Sequence, residues 1–213
     1  MRSAVSAIQD QDAQARPRGT RLPRIARRAQ LLSAAQDVFV AQGYHAAAMD
    51  DIAERAGVSK PVLYQHFPGK LELYLALLDQ HCDALVDAVE KALESTTDNK
   101  QRVAATIDAY FAFVDDEGGA FRLVFESDLT NEPAVRERVD RTSDRCADAI
   151  SKVIAEDTDL PEEEAKLLAV GLGGIAQITA RYWLTSPQGV SREAAARLIS
   201  SLAWRGIAGF PHV

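Results

Sequence analysis

Lys60, Pro61, Val62 and Gln65 crowd the exposed start of one short helical stretch. Lysine can reach guanine, glutamine can pair with adenine, and apolar groups can meet a thymine methyl, so the set suits reading base edges in a DNA major groove. Tyr64 and His66, with Lys70 just beyond, suit contact with the sugar–phosphate backbone. Covalent chemistry has no comparable set. His45, His66, His81 and His212 stand without a Ser, Cys or carboxylate at a recognisable nucleophile spacing. Cys82 and Cys146 lie far apart and form no disulfide framework or metal motif, and His81 and Cys82 project in different helical directions. Gly171-Leu172-Gly173-Gly174-Ile175-Ala176 matches a dinucleotide-binding pattern, but that pattern needs a preceding strand and Glu162–Val170 reads as helix. Small residues at 171 and 174 are instead expected to let two helices approach. No enzyme activity, cofactor or metal is expected.

The elements that must position the first set are legible around it. Ile52, Ala53 and Ala56 recur at helical spacing, Gly57 ends that helix, and Val58 plugs the gap. Ser59 is a good N-cap and Pro61 is tolerated in a first turn. Val62, Leu63 and Phe67 can face inward. Two short helices around a glycine turn make a helix-turn-helix, whose second helix enters the major groove. A bracing helix over about 24–42 offers Ile25, Leu31, Leu32, Ala35, Val38 and Phe39 as its inner side. A long fourth helix over about 70–94 carries Leu71, Tyr74, Leu75, Leu78, Cys82, Leu85, Val89 and Leu93 at three- and four-residue spacing. Helices follow at 100–116, 119–126, 132–156, 161–184 and 191–208, with no alternating strand pattern. The fold class is all-α, with about nine helices.

Charge is distributed to match. The 213 residues carry a net −7, yet residues 1–70 hold 10 Lys/Arg against 6 Asp/Glu while the remainder hold 14 against 25. A basic head on an acidic body favours phosphate at one end only. Residues 1–22 read as a disordered basic arm, 23–69 as the DNA-binding domain and 70–213 as a ligand-binding and dimerisation domain. Arg16, Arg18, Arg21, Arg24, Arg27 and Arg28 run without an acidic residue between Asp12 and Asp37; they suit phosphate or minor-groove contact, or simply solvation. With no run of 18 apolar residues and no apolar leader, a reducing cytoplasm is the expected location and no membrane partner is expected.

Residues 24–78 resemble the DNA-binding domain of TetR-family transcriptional regulators. The matching residues are Ala35, Phe39, Gly43-Tyr44, Asp51-Ile52-Ala53, Ala56-Gly57-Val58-Ser59, Leu63-Tyr64-Gln65-His66-Phe67 and Lys70-Leu71. The resemblance implies double-stranded operator DNA as partner and a contact set of Arg24, Arg27, Met49, Ser59, Lys60, Pro61, Val62, Tyr64, Gln65, His66 and Lys70. Ala48 departs from the pattern: where many members place a capping Thr or Ser, its side chain can neither cap nor touch phosphate. The resemblance also implies an effector cavity between the fourth helix and those after it, with expected lining Leu85, Val89, Ile107, Phe111, Phe121, Phe125, Cys146, Ile150, Leu172, Ile175 and Tyr182. The last two long helices, with Leu168, Ala169, Leu198, Ile199, Leu202 and Trp204, are expected to form a homodimer interface.

Further stretches, including Lys60–Phe67, Lys70–Ala76, Arg122–Glu126 and Ala180–Leu184, resemble actinobacterial TetR-type regulators of fatty-acid synthase genes. That resemblance implies a long-chain acyl-CoA effector, with Arg141, Arg145 and Arg181 as candidate headgroup cations. Alternatives are a repressor of an efflux or catabolic operon sensing another hydrophobic molecule, and a helical lipid-binding protein or enzyme without DNA function.

Overall fold

The computed structural model describes residues 22–115, 119, 129, 131–186 and 189–207. Its helices are α1 (Arg24–Ala46), α2 (Met49–Arg55), α3 (Lys60–His66), α4 (Lys70–Glu94), α5 (Asn99–Asp115), α6 (Pro133–Asp157), α7 (Glu162–Thr185) and α8 (Arg192–Ile207). No strand occurs among the described residues, so the protein is all-α there. The helix expected over 119–126, with Phe121 and Phe125, lies outside the described residues, as does the arm up to residue 21.

The head forms because α1, α2 and α3 each bury one side against a common centre. Leu31, Leu32, Ala35, Val38 and Phe39 of α1 meet Ile52 and Ala53 of α2 and Leu63 of α3, with Phe67 closing the end. Fully burying a Leu, Ile or Phe side chain contributes about 1.5–3 kcal/mol each, so this small cluster holds three short elements together. Gly57 sits at φ 64°, the left-handed conformation that a turn this tight requires. Ser59 occupies the N-cap position of α3, but its hydroxyl makes no capping bond; its carbonyl accepts the N–H groups of Val62 and Leu63 instead. Ile25 is a correction. It was placed on the inner side of α1, yet it is 85% exposed, because the packed part of the helix begins only at Leu31.

The head core does not stop at its third helix. Leu73, Tyr74, Leu77, Leu78 and Cys82 of α4 complete it, and Leu129 and Val135 join from the body side. Tyr74 sets its ring edge-on to Phe39 and Tyr44, both at 5.3 Å between centroids. Farther along α4, Leu85, Val89 and Leu93 belong to a second core with Ile107, Tyr110, Phe111 and Val114 of α5, Ala176 and Ala180 of α7, and Ala195 and Ala196 of α8. One helix therefore serves two cores. Arg138 and Arg145 of α6 pair with Asp79 and Asp83 of α4 at 2.7 and 2.6 Å. These partly exposed pairs contribute at most about 1 kcal/mol each, but they fix the register of the two helices. A further contact reaches back to the head: Gly119 has φ 71°, and a Cβ there would stand 2.9 Å from a methyl of Val40 on α1.

Candidate functional site

On α3, helical geometry separates two faces. Leu63 and Phe67 point inward, while Lys60, Pro61, Tyr64 and Gln65 are exposed at positions i, i+1, i+4 and i+5. Val62 and His66 are half-buried at the edges, Val62 having been expected inward. Ser59 is exposed at the start of the same face, and Met49, at the start of α2, is half-buried against the head core. Lys60 Nζ donates to Asp50 Oδ2 at 2.6 Å, and that hydrogen bond raises the ammonium pKa. Both groups lie in solvent, so an arriving phosphate or base can take over the lysine easily.

Beside this face stands a row of guanidinium groups. Arg24 is exposed, Arg27 donates to Gln30 at 2.8 Å, and Arg28 lies over the Phe67 ring at 4.4 Å. Partial burial, reinforced by Arg24, Arg28 and Arg27, lowers the pKa of His66. The arginines' share of that lowering reflects a local positive potential at the edge of α3, the condition that attracts phosphate. Gln30 also donates to Ala56 O at 2.7 Å, tying α1 to the end of α2 and hence to the angle of the turn.

Lys70 needs correction. It was expected to touch DNA, but its Nζ donates to the carbonyls of Tyr44, His45 and Ala47 at 2.7, 3.2 and 2.9 Å and lies 4.5 Å over the Tyr44 ring. The backbone breaks at Gly43, and the ammonium supplies a donor to three carbonyls of the turn that follows the break. Lys70 is a strut between α1 and α4. We expect Lys70→Met to lower the unfolding free energy by about 2 kcal/mol, since three charge-assisted acceptors lose their donor. Urea denaturation reads this directly. A phosphate-contact role would instead leave stability unchanged and flatten the salt dependence of DNA binding by about one ion.

The body encloses a largely apolar cleft, partly open to solvent. Five residues of the expected lining do line it, namely Val89, Ile107, Cys146, Ile150 and Leu172. Val103, Thr106, Tyr110, Val153, Ile154 and Trp204 line it as well and were missed. The first three follow the same helical spacing as Ile107 and were open to the same reading. Burial pushes the Cys146 thiol up to about 11, and pushes the Tyr110 phenol well above its ordinary range, so both face the cleft uncharged.

Leu85 lines a second, more polar cavity with Thr142, Ser143, Asp144 and Gln177, adjoining the first at Tyr110, Cys146 and Gly173. Three other expectations are corrected. Phe111 is fully buried in the body core against Trp183, at 5.8 Å between centroids. Ile175 is half-buried and lines neither cavity, and Tyr182 is 72% exposed. Among the expected dimer residues, Ala169 is buried within the subunit, Ile199 packs on the body core and Trp204 lines the cleft. Nor do Gly171 and Gly174 admit a neighbouring helix within the subunit; a Cβ at either would meet nothing within 4 Å among the described residues.

The cleft's cation was also missed. Arg102 donates through Nε to the carbonyls of Leu93 and Thr96 at 3.2 and 2.8 Å, and through Nη1 to Asn99 Oδ1 and Asp157 Oδ2, both at 2.9 Å. It closes one end of the cleft by binding the end of α4, the start of α5 and the end of α6 together. Arg141 and Arg145, the candidate headgroup cations, are instead paired with Glu137 and Asp83. Arg181 is exposed on α7 and lines neither cavity.

Comparison with known proteins agrees with this architecture at both ends of the chain. Residues 31–77 match the family described as bacterial regulatory proteins, tetR family, and residues 99–206 match the tetracyclin repressor-like C-terminal domain. The HTH-type transcriptional activator FasR of Mycolicibacterium smegmatis is 48% identical over 194 residues, 91% of this chain and 89% of that one. A TetR-like transcriptional regulator from Rhodococcus sp. RHA1 shares the fold at TM-score 0.71 and 29% identity, over 89% of this chain and 100% of the other. The transcriptional regulator FadR of Bacillus subtilis, solved in complex with stearoyl-CoA, is similar in fold at TM-score 0.69 and 19% identity, over 82% of this chain and 96% of that one. With a helix-turn-helix head, a helical body around a cleft, and matches that span both, this chain belongs to the TetR family of bacterial transcriptional regulators.

Proposed function

We propose that the protein is a homodimeric transcription factor that binds operator DNA through α3 and senses a long-chain acyl-CoA in the body cleft, controlling genes of lipid metabolism. The observation that carries the effector reading is the largely aliphatic cleft between α4, α5, α6, α7 and α8, in a chain 48% identical to FasR. The stearoyl-CoA complex of FadR, a protein of the same fold, supports the same ligand class. Another hydrophobic effector, governing efflux or catabolism, is the second reading.

In the head, Lys60, Pro61, Val62 and Gln65 read bases, and Arg24, Arg27, Tyr64 and His66 hold the backbone. In the body, α7 and α8 pair with a second copy. The most apolar 18-residue window of α7 has a mean hydropathy of 1.2 and is only 17% buried, which leaves a face of Leu167, Val170, Ile178 and Tyr182 for a partner to cover. Leu198 and Leu202 extend that face on α8.

Coupling runs through α4, whose two halves belong to different cores. A ligand that prefers one placement of α4 changes the separation of the two α3 helices, and DNA that prefers the other then binds less tightly. The experiment is fluorescence anisotropy of labelled upstream DNA, titrated at fixed salt with and without stearoyl-CoA. A selective complex whose affinity shifts at least about fivefold with the acyl-CoA is expected. Selective binding that ignores the acyl-CoA leaves the second reading standing, and binding without sequence preference defeats both.

A further inference from the structure

Resting on the acyl-CoA reading above, one feature of the cleft wall says more about the ligand. Thr106 Oγ1 is buried and has no hydrogen-bond partner among the described residues. It stands in the cleft lining with Val103 and Ile107 on either side. A buried hydroxyl without a partner costs about 1–3 kcal/mol, a penalty that a ligand oxygen can remove. Tyr110 and Cys146 also line this cleft, but its charged and amide side chains gather at one end. Asn99 and Arg102 precede Thr106 on the same side of α5, and Arg102 is four residues or about 6 Å away along the axis. Asp157 and Thr158 stand at that end as well, and the Asp157 side chain is 37% exposed, so this end meets solvent. Beyond Thr106 the wall is carried mainly by Val89, Ile150, Val153 and Leu172, with Tyr110 and Cys146 beside them.

The charge of the missing group follows from Arg102. It is the only cation among the described lining residues, and its Nε and Nη1 already serve two carbonyls, an amide oxygen and the Asp157 carboxylate. An ionised carboxylate at Thr106 would be desolvated with no spare counter-charge and with Asp157 nearby, a heavy cost. A neutral carbonyl needs only one donor. We propose that Thr106 donates a hydrogen bond from Oγ1 to the carbonyl oxygen of an acyl thioester, whose chain fills the aliphatic cleft and whose headgroup leaves at the Asn99–Arg102 end. Thr106 then makes the protein a reader of thioesters over free fatty acids.

The test is a two-by-two comparison by isothermal titration calorimetry. Wild type and Thr106→Val are each titrated with stearoyl-CoA and with S-octadecyl-CoA, the thioether that lacks the carbonyl. Thr106→Val is expected to weaken stearoyl-CoA about tenfold, because the carbonyl is left without a donor, and to leave the thioether unchanged. Thr106→Ser restores binding, and unliganded Thr106→Val melts no lower than wild type, which separates the effect from misfolding. Stearate binds the wild type at least about tenfold more weakly than stearoyl-CoA. Equal affinity of Thr106→Val and wild type for stearoyl-CoA, or equal losses for both probes, overturns the role of Thr106 and leaves the acyl-CoA reading intact. Failure of the wild type to bind either probe overturns both.

Discussion

Arg102→Met is expected to lower the unfolding free energy by about 3 kcal/mol, read as a lower urea midpoint at unchanged slope. The side chain is 19% exposed, and its guanidinium holds acceptors from three helices. Methionine keeps most of the aliphatic stem, so the loss isolates the hydrogen bonds rather than the packing. Two carbonyls at the end of α4 lose their donor at about 1 kcal/mol each, and the Asp157 carboxylate, partly exposed, adds a discounted share. Arg102→Lys is expected to recover little, because one ammonium cannot reach acceptors spread around a planar fork. A change below about 0.5 kcal/mol in Arg102→Met would show the network to be a surface ornament and remove it from the account of how the cleft is closed.

The second large effect concerns assembly. Ile178→Glu is expected to convert the dimer to a folded monomer and to weaken operator binding roughly a thousandfold, since two linked recognition helices become one. Ile178 is 70% exposed in the single chain, so a carboxylate there costs a lone subunit almost nothing. In a dimer the same carboxylate would be buried among Leu167, Tyr182 and Leu202 of two copies, at a heavy desolvation cost. Sedimentation velocity gives the mass and circular dichroism checks the fold. A variant that stays dimeric with operator affinity intact would move the interface away from this face.

Local chemistry was readable in advance, and long-range pairing was not. Gly57 could be assigned to the turn because only its neighbours decide it, and the ends of α4 emerged at Lys70 and Glu94 because composition changes sharply there. An apolar stripe shows that a side chain seeks cover, but not whose. Tyr182 and Ile175 were read as cleft lining, and Trp204 as interface, because cleft, core and interface are written in the same residue types. Ile25 was read as core for the same reason. Lys70 and Arg102 failed differently. Their partners are backbone carbonyls at the ends of helices, and for Lys70 these lie 23 to 26 residues away, where no side-chain pattern announces them. Thr106 has no pattern around it that marks a ligand contact, since a threonine within a helix often bonds its own backbone.

The sharing of α4 between two cores bears on how such regulators can be recombined. Cys82 is the last α4 residue of the head core and Leu85 the first of the body core. A cut at residue 69, where the helix-turn-helix ends, would strip Leu73, Tyr74, Leu77 and Leu78 from the centre of the head and open its core to solvent. Chimeras that graft this head onto another sensor are therefore best joined between Cys82 and Leu85, within the helix and at constant register. Even there the donor body must supply counterparts of Leu129 and Val135, which reach the head core from beyond the junction. What sequence divides into two modules, tertiary packing makes one exchangeable unit only with its seam about four turns deeper.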